Sequence, residues 1–279
     1  MPLVKADFCG MTTILGDSGT TSPARSGFPA HWQIMKKARS GTWIFPVVCL
    51  ITLGAAVAAH LGTSPLGPLV FVTVLGGWVI SICLHEFAHA VTALTGGDTS
   101  VKAAGYLTLN PARYIDSTNS LVIPVILLAI GGIPLPGGAV RVHPGRFRHR
   151  WWSSVVAAAG PVTNLILGVV LALLAAPLDS GLGAALSFLA LLQFVAGILT
   201  LLPVPGFDGY GIIAPYLPAR ITASLARWGI WAPLAAFAII FFVPGVMTAL
   251  FGLGFDLLAL AGGNGAMASI GSALFQFWR

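Results

Sequence analysis

Long apolar runs separated by short polar stretches dominate the pattern of this chain. A helix needs about 20 residues to cross a bilayer, and several of these runs reach that length. The pattern therefore predicts an all-α polytopic membrane protein with about five or six transmembrane helices, the sixth being a partial or interfacial segment after the fifth. The five predicted spans are 43 to about 61, 69–94, 153–176, 182–202 and 230 to about 250.

The stretch between the second and third of these spans is less regular. Residues 120–136 are apolar but short, and they contain three prolines and two glycines. Basic residues flank the stretch on both sides, whereas a true crossing would put one basic flank outside. A re-entrant or interfacial piece is therefore favoured over a crossing. Residues 139–143 alternate as a short β-strand would.

Composition supports the membrane assignment and excludes a large soluble module. The chain of 279 residues is 57% hydrophobic and only 8% charged, against about 25% charged in soluble domains. Its net charge of +6 does not indicate nucleic acid, because the basic residues cluster beside apolar segments, as the positive-inside rule expects.

The distribution of polar residues predicts three regions. Residues 1–41 form a polar N-terminal tail that ends in Lys36-Lys37-Ala38-Arg39, which predicts a cytoplasmic N-terminus. Residues 42–262 form the integral membrane domain, with a core at 69–210. Residues 263–279 form a C-terminal tail or an interfacial helix.

One motif of polar residues interrupts the second predicted span. His85 and His89 are four residues apart, so on a helix both imidazoles lie on one face and can share a metal ion. Glu86, the only glutamate of the chain, lies beside them, close enough to handle the proton of a water at the metal. Ionisable groups at membrane depth are costly, which makes these three residues functional candidates.

Asp208 is the candidate for a third ligand, because a catalytic zinc site takes three protein ligands and keeps one position open. It follows the fourth predicted span in a Pro/Gly-rich break, and the topology returns it to the depth of His85 and His89. The alternative is an aspartate that caps the next segment.

Three motifs occur in the chain in a characteristic order: His85-Glu86-Phe87-Ala88-His89, Gly160-Pro161-Val162-Thr163-Asn164, and Leu202-Pro203 through Asp208-Gly209. In these motifs the chain resembles the site-2 protease family of intramembrane zinc metalloproteases, and specifically its compact bacterial members without a PDZ or other accessory domain. The resemblance covers about residues 69–210.

The resemblance implies a function for the motif residues. It implies one Zn²⁺ per chain, held by His85, His89 and Asp208, with Glu86 as the general base. Asn164 is a candidate donor to the oxyanion, although a helix–helix hydrogen bond is an alternative role. Thr200 stands where the family often has Asn. Any role of that Asn in holding the substrate or the oxyanion is therefore weakened here or passes to Asn164.

The predicted function is therefore intramembrane hydrolysis of a peptide bond in or near the transmembrane segment of a single-span membrane protein. The expected location is a bacterial cell membrane, with the lipid bilayer as a partner and the active site toward the cytoplasm. Two other hypotheses remain: a zinc-binding membrane scaffold without activity, and a metal or proton transporter. The intact Glu86 argues against the scaffold, since metal binding alone needs no such base.

Overall fold

The computed structural model describes residues 43–111, 143–229 and 231–279 of the chain. Within these ranges the protein is helical and contains no strand. The predicted tail at 1–41, the predicted re-entrant piece at 120–136 and almost all of the predicted strand at 139–143 lie outside the described residues, so these three predictions stay predictions.

The first part of the chain forms a helical hairpin. Helix α1 spans Ile44–His60 and α2 spans Leu66–Gly96, followed by the single turn α3, Ser100–Ala103. Gly97 ends α2 in the left-handed conformation, with φ 112°. Its amide donates to Leu94 O and the next amide, of Asp98, donates to Ala93 O, the two bonds of a Schellman cap.

The middle of the chain forms a second hairpin, which packs against α2. Helix α4 spans Trp151–Ala175 and α5 spans Gly181–Thr200. Helices α2, α4 and α5 agree with the predicted spans 69–94, 153–176 and 182–202 to within three residues at each end. They are also the three helices of the described ranges that are individually long and apolar enough to cross a membrane.

The C-terminal part consists of five shorter helices. They are α6 (Asp208–Ile213), α7 (Ala219–Ala226), α8 (Trp231–Phe242), α9 (Val246–Leu260) and α10 (Gly265–Phe275). If the bent pair of α7 and α8 counts as one span, the described residues contain four candidate spans. The prediction of five or six spans is therefore not confirmed.

The predicted fifth span, 230 to about 250, is wrong as a single helix. The structure breaks it between Phe242 and Val246. Pro244 has no amide hydrogen to donate to a helix, and Gly245 adopts a left-handed φ of 85°, so the chain turns there and starts α9.

Helix α5 is the centre of the bundle, and α2, α4, α9 and α10 pack around it. Most of its side chains are buried, including Phe188 and Leu192. The C-terminal helix α10 joins this core through Phe275, which is fully buried and lies 5.1 Å from Phe71 between ring centroids. The predicted limits of the membrane domain, 42–262, stay a prediction, and α10 adds a packed helix beyond them.

Candidate metal centre and its cavity

The two histidines of the motif meet on one face of α2. Their Nε2 atoms lie 3.1 Å apart, and both residues are buried, with 9% and 8% of their surfaces exposed for His85 and His89. The Nδ1 of His89 donates a hydrogen bond of 2.6 Å to the carbonyl oxygen of Val156 on α4. That bond fixes the ring and leaves the lone pair of Nε2 available to a metal ion.

Helix α4 approaches these rings so closely that one position has no room for a side chain. A methyl group added at Gly160 would overlap the ring nitrogens of both His85 and His89. The glycine of the second motif is therefore needed for close approach between α4 and the imidazoles.

Asp208 reaches the histidines from the first position of α6. Its Oδ2 lies 3.3 Å from Nε2 of His85, and its Oδ1 lies 3.4 Å from Nε2 of His89. The carboxylate does not cap α6, whose cap residue is Phe207. Asp208 thus contacts both imidazoles, as the sequence predicts for a third ligand, instead of serving the alternative role of a helix cap.

Two local features hold Asp208 in this place. Gly209 lies against the end of α5, where a Cβ would overlap the carbonyl oxygens of Leu201 and Leu202. The hydroxyl of Ser154 on α4 donates a hydrogen bond of 2.6 Å to the carbonyl of Ile212. The short helix α6 is therefore tied to the same helix, α4, that contacts the histidines.

The three side chains fit a zinc ion. Ligand atoms bound tetrahedrally at about 2.0–2.1 Å from zinc lie about 3.3–3.4 Å from one another. The three distances among the His85 and His89 Nε2 atoms and the Asp208 oxygens are 3.1, 3.3 and 3.4 Å. Two neutral imidazoles and a carboxylate are also a donor set typical of catalytic zinc.

A cavity of about 190 Å³ opens beside this group. Glu86 and Asn164 line it together with His85 and Asp208, and both are buried, at 4% and 5% exposure. The structure therefore brings all five predicted site residues to one place. His89 does not line the cavity, but it contacts His85 and Asp208. Among the described residues Asn164 makes no helix–helix hydrogen bond, so its amide faces the cavity without that alternative role.

Thr200 lines the same cavity but cannot replace an asparagine as a donor. Its hydroxyl donates to the carbonyl of Ala196, at 2.9 Å, within its own helix. Only the lone pairs of its oxygen remain for a ligand. The hydroxyl hydrogen of Thr200 is therefore used within α5.

Asp98 follows the C-terminal cap of α2 and is completely buried. Its carboxylate accepts hydrogen bonds from the amides of Ser100, at 3.0 Å, and His143, at 2.8 Å, and lies 3.6 Å from Arg146. Burial raises the pKa of Asp98, but the hydrogen bonds from Ser100 and the His143 amide outweigh it, and the pKa lies below its ordinary value. No sequence signal marked the role of this residue, because its partners His143 and Arg146 are distant from it in the sequence.

Comparison with known proteins supports the class of protein that this fold and site define. The chain is 40% identical over 237 residues to a protein of Mycobacterium tuberculosis named "Putative zinc metalloprotease Rip2", covering 82% of this chain and 90% of that protein. It is 41% identical over 197 residues to the Rip2 protein of Mycolicibacterium smegmatis, covering 67% of this chain and 76% of that protein. No protein-family model and no solved structure matches the chain.

A more distant relative carries the same kind of name. The protein of Bacillus subtilis named "Putative zinc metalloprotease YwhC" is 33% identical over 162 residues, which cover 53% of this chain and 71% of that protein. The chain therefore belongs to the same class of bacterial proteins as these relatives, which are named as zinc metalloproteases. Within it, this chain belongs to the site-2 protease family.

Proposed function

We propose that the protein is an intramembrane zinc endopeptidase that hydrolyses a peptide bond in or near the transmembrane segment of a single-span membrane protein. The observation that carries the proposal is the convergence of His85, His89 and Asp208 at zinc-ligand spacing beside Glu86. His85, Glu86 and His89 lie on α2, the longest apolar helix of the described residues, and a cavity of about 190 Å³ opens beside the group.

In the proposed mechanism each buried residue has a separate role in hydrolysis. A zinc ion held by His85, His89 and Asp208 would supply Lewis-acid chemistry for the hydrolysis of a peptide bond. Glu86, next to His85 and in the cavity wall, accepts a proton from the attacking water and gives it to the leaving amine. The amide of Asn164 donates a hydrogen bond to the carbonyl oxygen as negative charge develops on it.

The orientation in the membrane follows from the basic residues around the site. Lys102, Arg146 and Arg148 lie near the end of α2 that carries the motif, and the amide of Arg148 donates to Gly96 O at that end. The positive-inside rule supports a cytoplasmic location for this end, with the N-terminus on the same side. The three long helices and the bent pair of α7 and α8 provide four membrane-embedded segments in this arrangement. Helix α1 and the pair of α9 and α10 bring the number to the proposed five or six.

The proposal is tested with purified protein and synthetic single-span membrane peptides. We expect wild type and Glu86→Gln to hold one zinc ion per chain, because Glu86 is not a ligand in the proposed site. Only wild type should cut the peptides, and the loss in Glu86→Gln should be about 100-fold or more, as for removal of a general base.

The matched control is Asp256→Asn, the same carboxylate-to-amide change at an exposed position of α9. It should bind zinc and cut at the wild-type rate. If wild type and Glu86→Gln both hold zinc and neither cuts any peptide, the proposal fails and a zinc-binding scaffold replaces it. If neither protein holds zinc, the metal centre itself is refuted.

A further inference from the structure

The side chains of Gln193 and Ser81 and the backbone carbonyl of Trp78 form a buried hydrogen-bonded network between α2 and α5. The side-chain amide of Gln193 donates to the hydroxyl oxygen of Ser81 at 2.8 Å, and the Ser81 hydroxyl donates to the carbonyl of Trp78 at 2.7 Å. All three residues are buried, at 0% exposure for Gln193, 5% for Ser81 and 2% for Trp78.

The direction of these hydrogen bonds fixes the orientation of the Gln193 amide. The single hydroxyl hydrogen of Ser81 is donated to Trp78 O, so the Ser81 oxygen can only accept from Gln193. The nitrogen of the Gln193 amide therefore faces Ser81. Its oxygen, Oε1, faces away from Ser81 and has no hydrogen-bond partner within the described part of the chain.

A second polar atom beside this network lacks a partner. The indole Nε1 of Trp78 is buried and makes no hydrogen bond to any described residue. The network thus leaves one donor, the Trp78 N–H, and one acceptor, Gln193 Oε1. Each uncompensated buried polar group costs roughly 1–3 kcal/mol, so a bound group that forms hydrogen bonds with these atoms would stabilise the folded protein.

The network lies at the level where a membrane protein tolerates such groups least. Ser81 is the central residue of α2, which runs from Leu66 to Gly96, and is roughly 22 Å from either end at 1.5 Å per residue. If α2 crosses the bilayer, this is its midplane. Polar groups at this depth are expected to be functional.

The network also borders the catalytic cavity. Trp78 and Ser81 line that cavity together with His85 and Glu86, and Gln193 lies directly behind Ser81. Trp78 precedes His85 by two helical turns, or roughly 10 Å along the helix. One continuous cavity wall therefore joins the unsatisfied donor to the base and to the metal ligands.

From these contacts we infer that Trp78, Ser81 and Gln193 form a water-binding site at the lipid-depth end of the cavity, which supplies the water consumed in each turnover. Water is the small ligand that can accept from the Trp78 N–H and donate to Gln193 Oε1 at once, and buried waters make two to four such bonds. A peptide group has the same donors and acceptors but is too large for two atoms that are both buried. The role in turnover rests on the proposed hydrolysis, whereas binding of water does not.

The water site is tested by hydroxyl-radical footprinting of the whole protein in lipid nanodiscs, with X-ray pulses that generate radicals from water. Side chains beside ordered water are oxidised fastest, so Trp78 should be oxidised well above Phe188, an equally buried aromatic residue of the core. In Gln193→Leu, which removes one partner of the water, oxidation of Trp78 should fall about fivefold.

The control is Thr73→Val on the same helix. Thr73 is as buried as Ser81, but its hydroxyl bonds to Leu69 O in its own helix and makes no bond to Gln193, so oxidation of Trp78 should not change. Ser81→Ala provides a second variant with a smaller change in volume, and it should reproduce the effect of Gln193→Leu if the network orients the amide.

Cleavage by the same variants tests the supply of water. Gln193→Leu should lower kcat about fivefold with unchanged KM and zinc content, because the bound water is neither a ligand nor a substrate contact. Weak oxidation of Trp78, no stronger than that of Phe188, would overturn the water site. Loss of oxidation with an unchanged kcat would overturn its role in turnover.

The two proposals can fail separately. If wild type cuts no peptide while Trp78 is oxidised strongly and in a Gln193-dependent way, the proposed protease is refuted and the water site is supported. If wild type cuts peptides while oxidation of Trp78 is weak, the protease is supported and the water site is refuted.

Discussion

At the level of single residues, the geometry of the site depends on the lack of a side chain at Gly160 as well as on the metal-binding candidates. Gly160 lets the backbone of α4 lie against the rings of His85 and His89. The carbonyl of Val156, one turn earlier on the same helix, holds His89 by a bond of 2.6 Å. One stretch of α4 backbone therefore sets the position of both imidazoles.

Gly160→Ala should accordingly weaken zinc binding. The added methyl group would push the imidazoles away from Asp208, and changes that misplace ligands cost about 10- to 100-fold in metal affinity. The measurement is a zinc titration in competition with a chromophoric chelator.

Gly54→Ala is the matched control, since a Cβ at this helical position of α1 meets nothing within 4 Å. It should keep the wild-type zinc affinity. An unchanged affinity in Gly160→Ala as well would contradict the close approach of α4 to the histidines.

At the level of elements, a buried carboxylate joins the end of α2 to the segment that leads into α4. Asp98 accepts a hydrogen bond from the amide of His143 and lies close to Arg146. The amide of Arg148 donates a hydrogen bond to the carbonyl oxygen of Gly96. This joint sets the spacing of the two helices that carry the motif and Gly160.

Asp98→Asn should reduce stability at neutral pH, because the neutral amide loses the charge-assisted hydrogen bonds. The pKa of Asp98 is lower in the folded protein than its ordinary value, so its contribution is fully present above about pH 4 and is lost as the pH falls through the folded value. Thermal unfolding in detergent, measured from pH 7 downward, checks this.

The difference in Tm between wild type and Asp98→Asn should be largest near pH 7 and shrink in acid. Asp179→Asn, at an exposed turn between α4 and α5, provides the control and should show little difference at either pH. A constant difference for Asp98→Asn across the range would mean that its charge contributes nothing.

At the level of the whole molecule, the three candidate metal ligands come from distant parts of the chain. Two of its residues come from α2 and the third, Asp208, comes from α6, after α4 and α5 have been placed between them. A ligand that binds only the folded protein stabilises it by about 4 kcal/mol at 1,000 times its Kd.

Removal of zinc by a chelator should therefore lower the thermal midpoint by several degrees, since about 1 kcal/mol shifts Tm by roughly 2–4 °C in a domain of this size. Added zinc should restore it. His89→Ala, which lacks one proposed ligand, should show no such shift on chelation, and an equal shift in this variant would place the stabilising metal elsewhere.

The sequence predicts the large features of this molecule because they depend on local chemistry. The spans at 69–94, 153–176 and 182–202 are long and predominantly apolar, and the helical spacing of His85 and His89 puts them on one face. The break at Pro244-Gly245 is missed because it lies inside an apolar run, where hydropathy gives no signal. The partners of Asp98 and Gln193 depend on tertiary packing, which one sequence without its fold cannot reveal.

The closeness of Gly160 to the imidazoles also has a stereochemical consequence for the proposed hydrolysis. The backbone of α4 closes one side of the histidine pair, and the cavity that holds Glu86 and Asn164 opens elsewhere. A scissile carbonyl can then turn only one of its two prochiral faces toward the attacking water. Of two hydroxyethylene analogues that differ only in the configuration of the hydroxyl-bearing carbon, the site would bind one more tightly than the other.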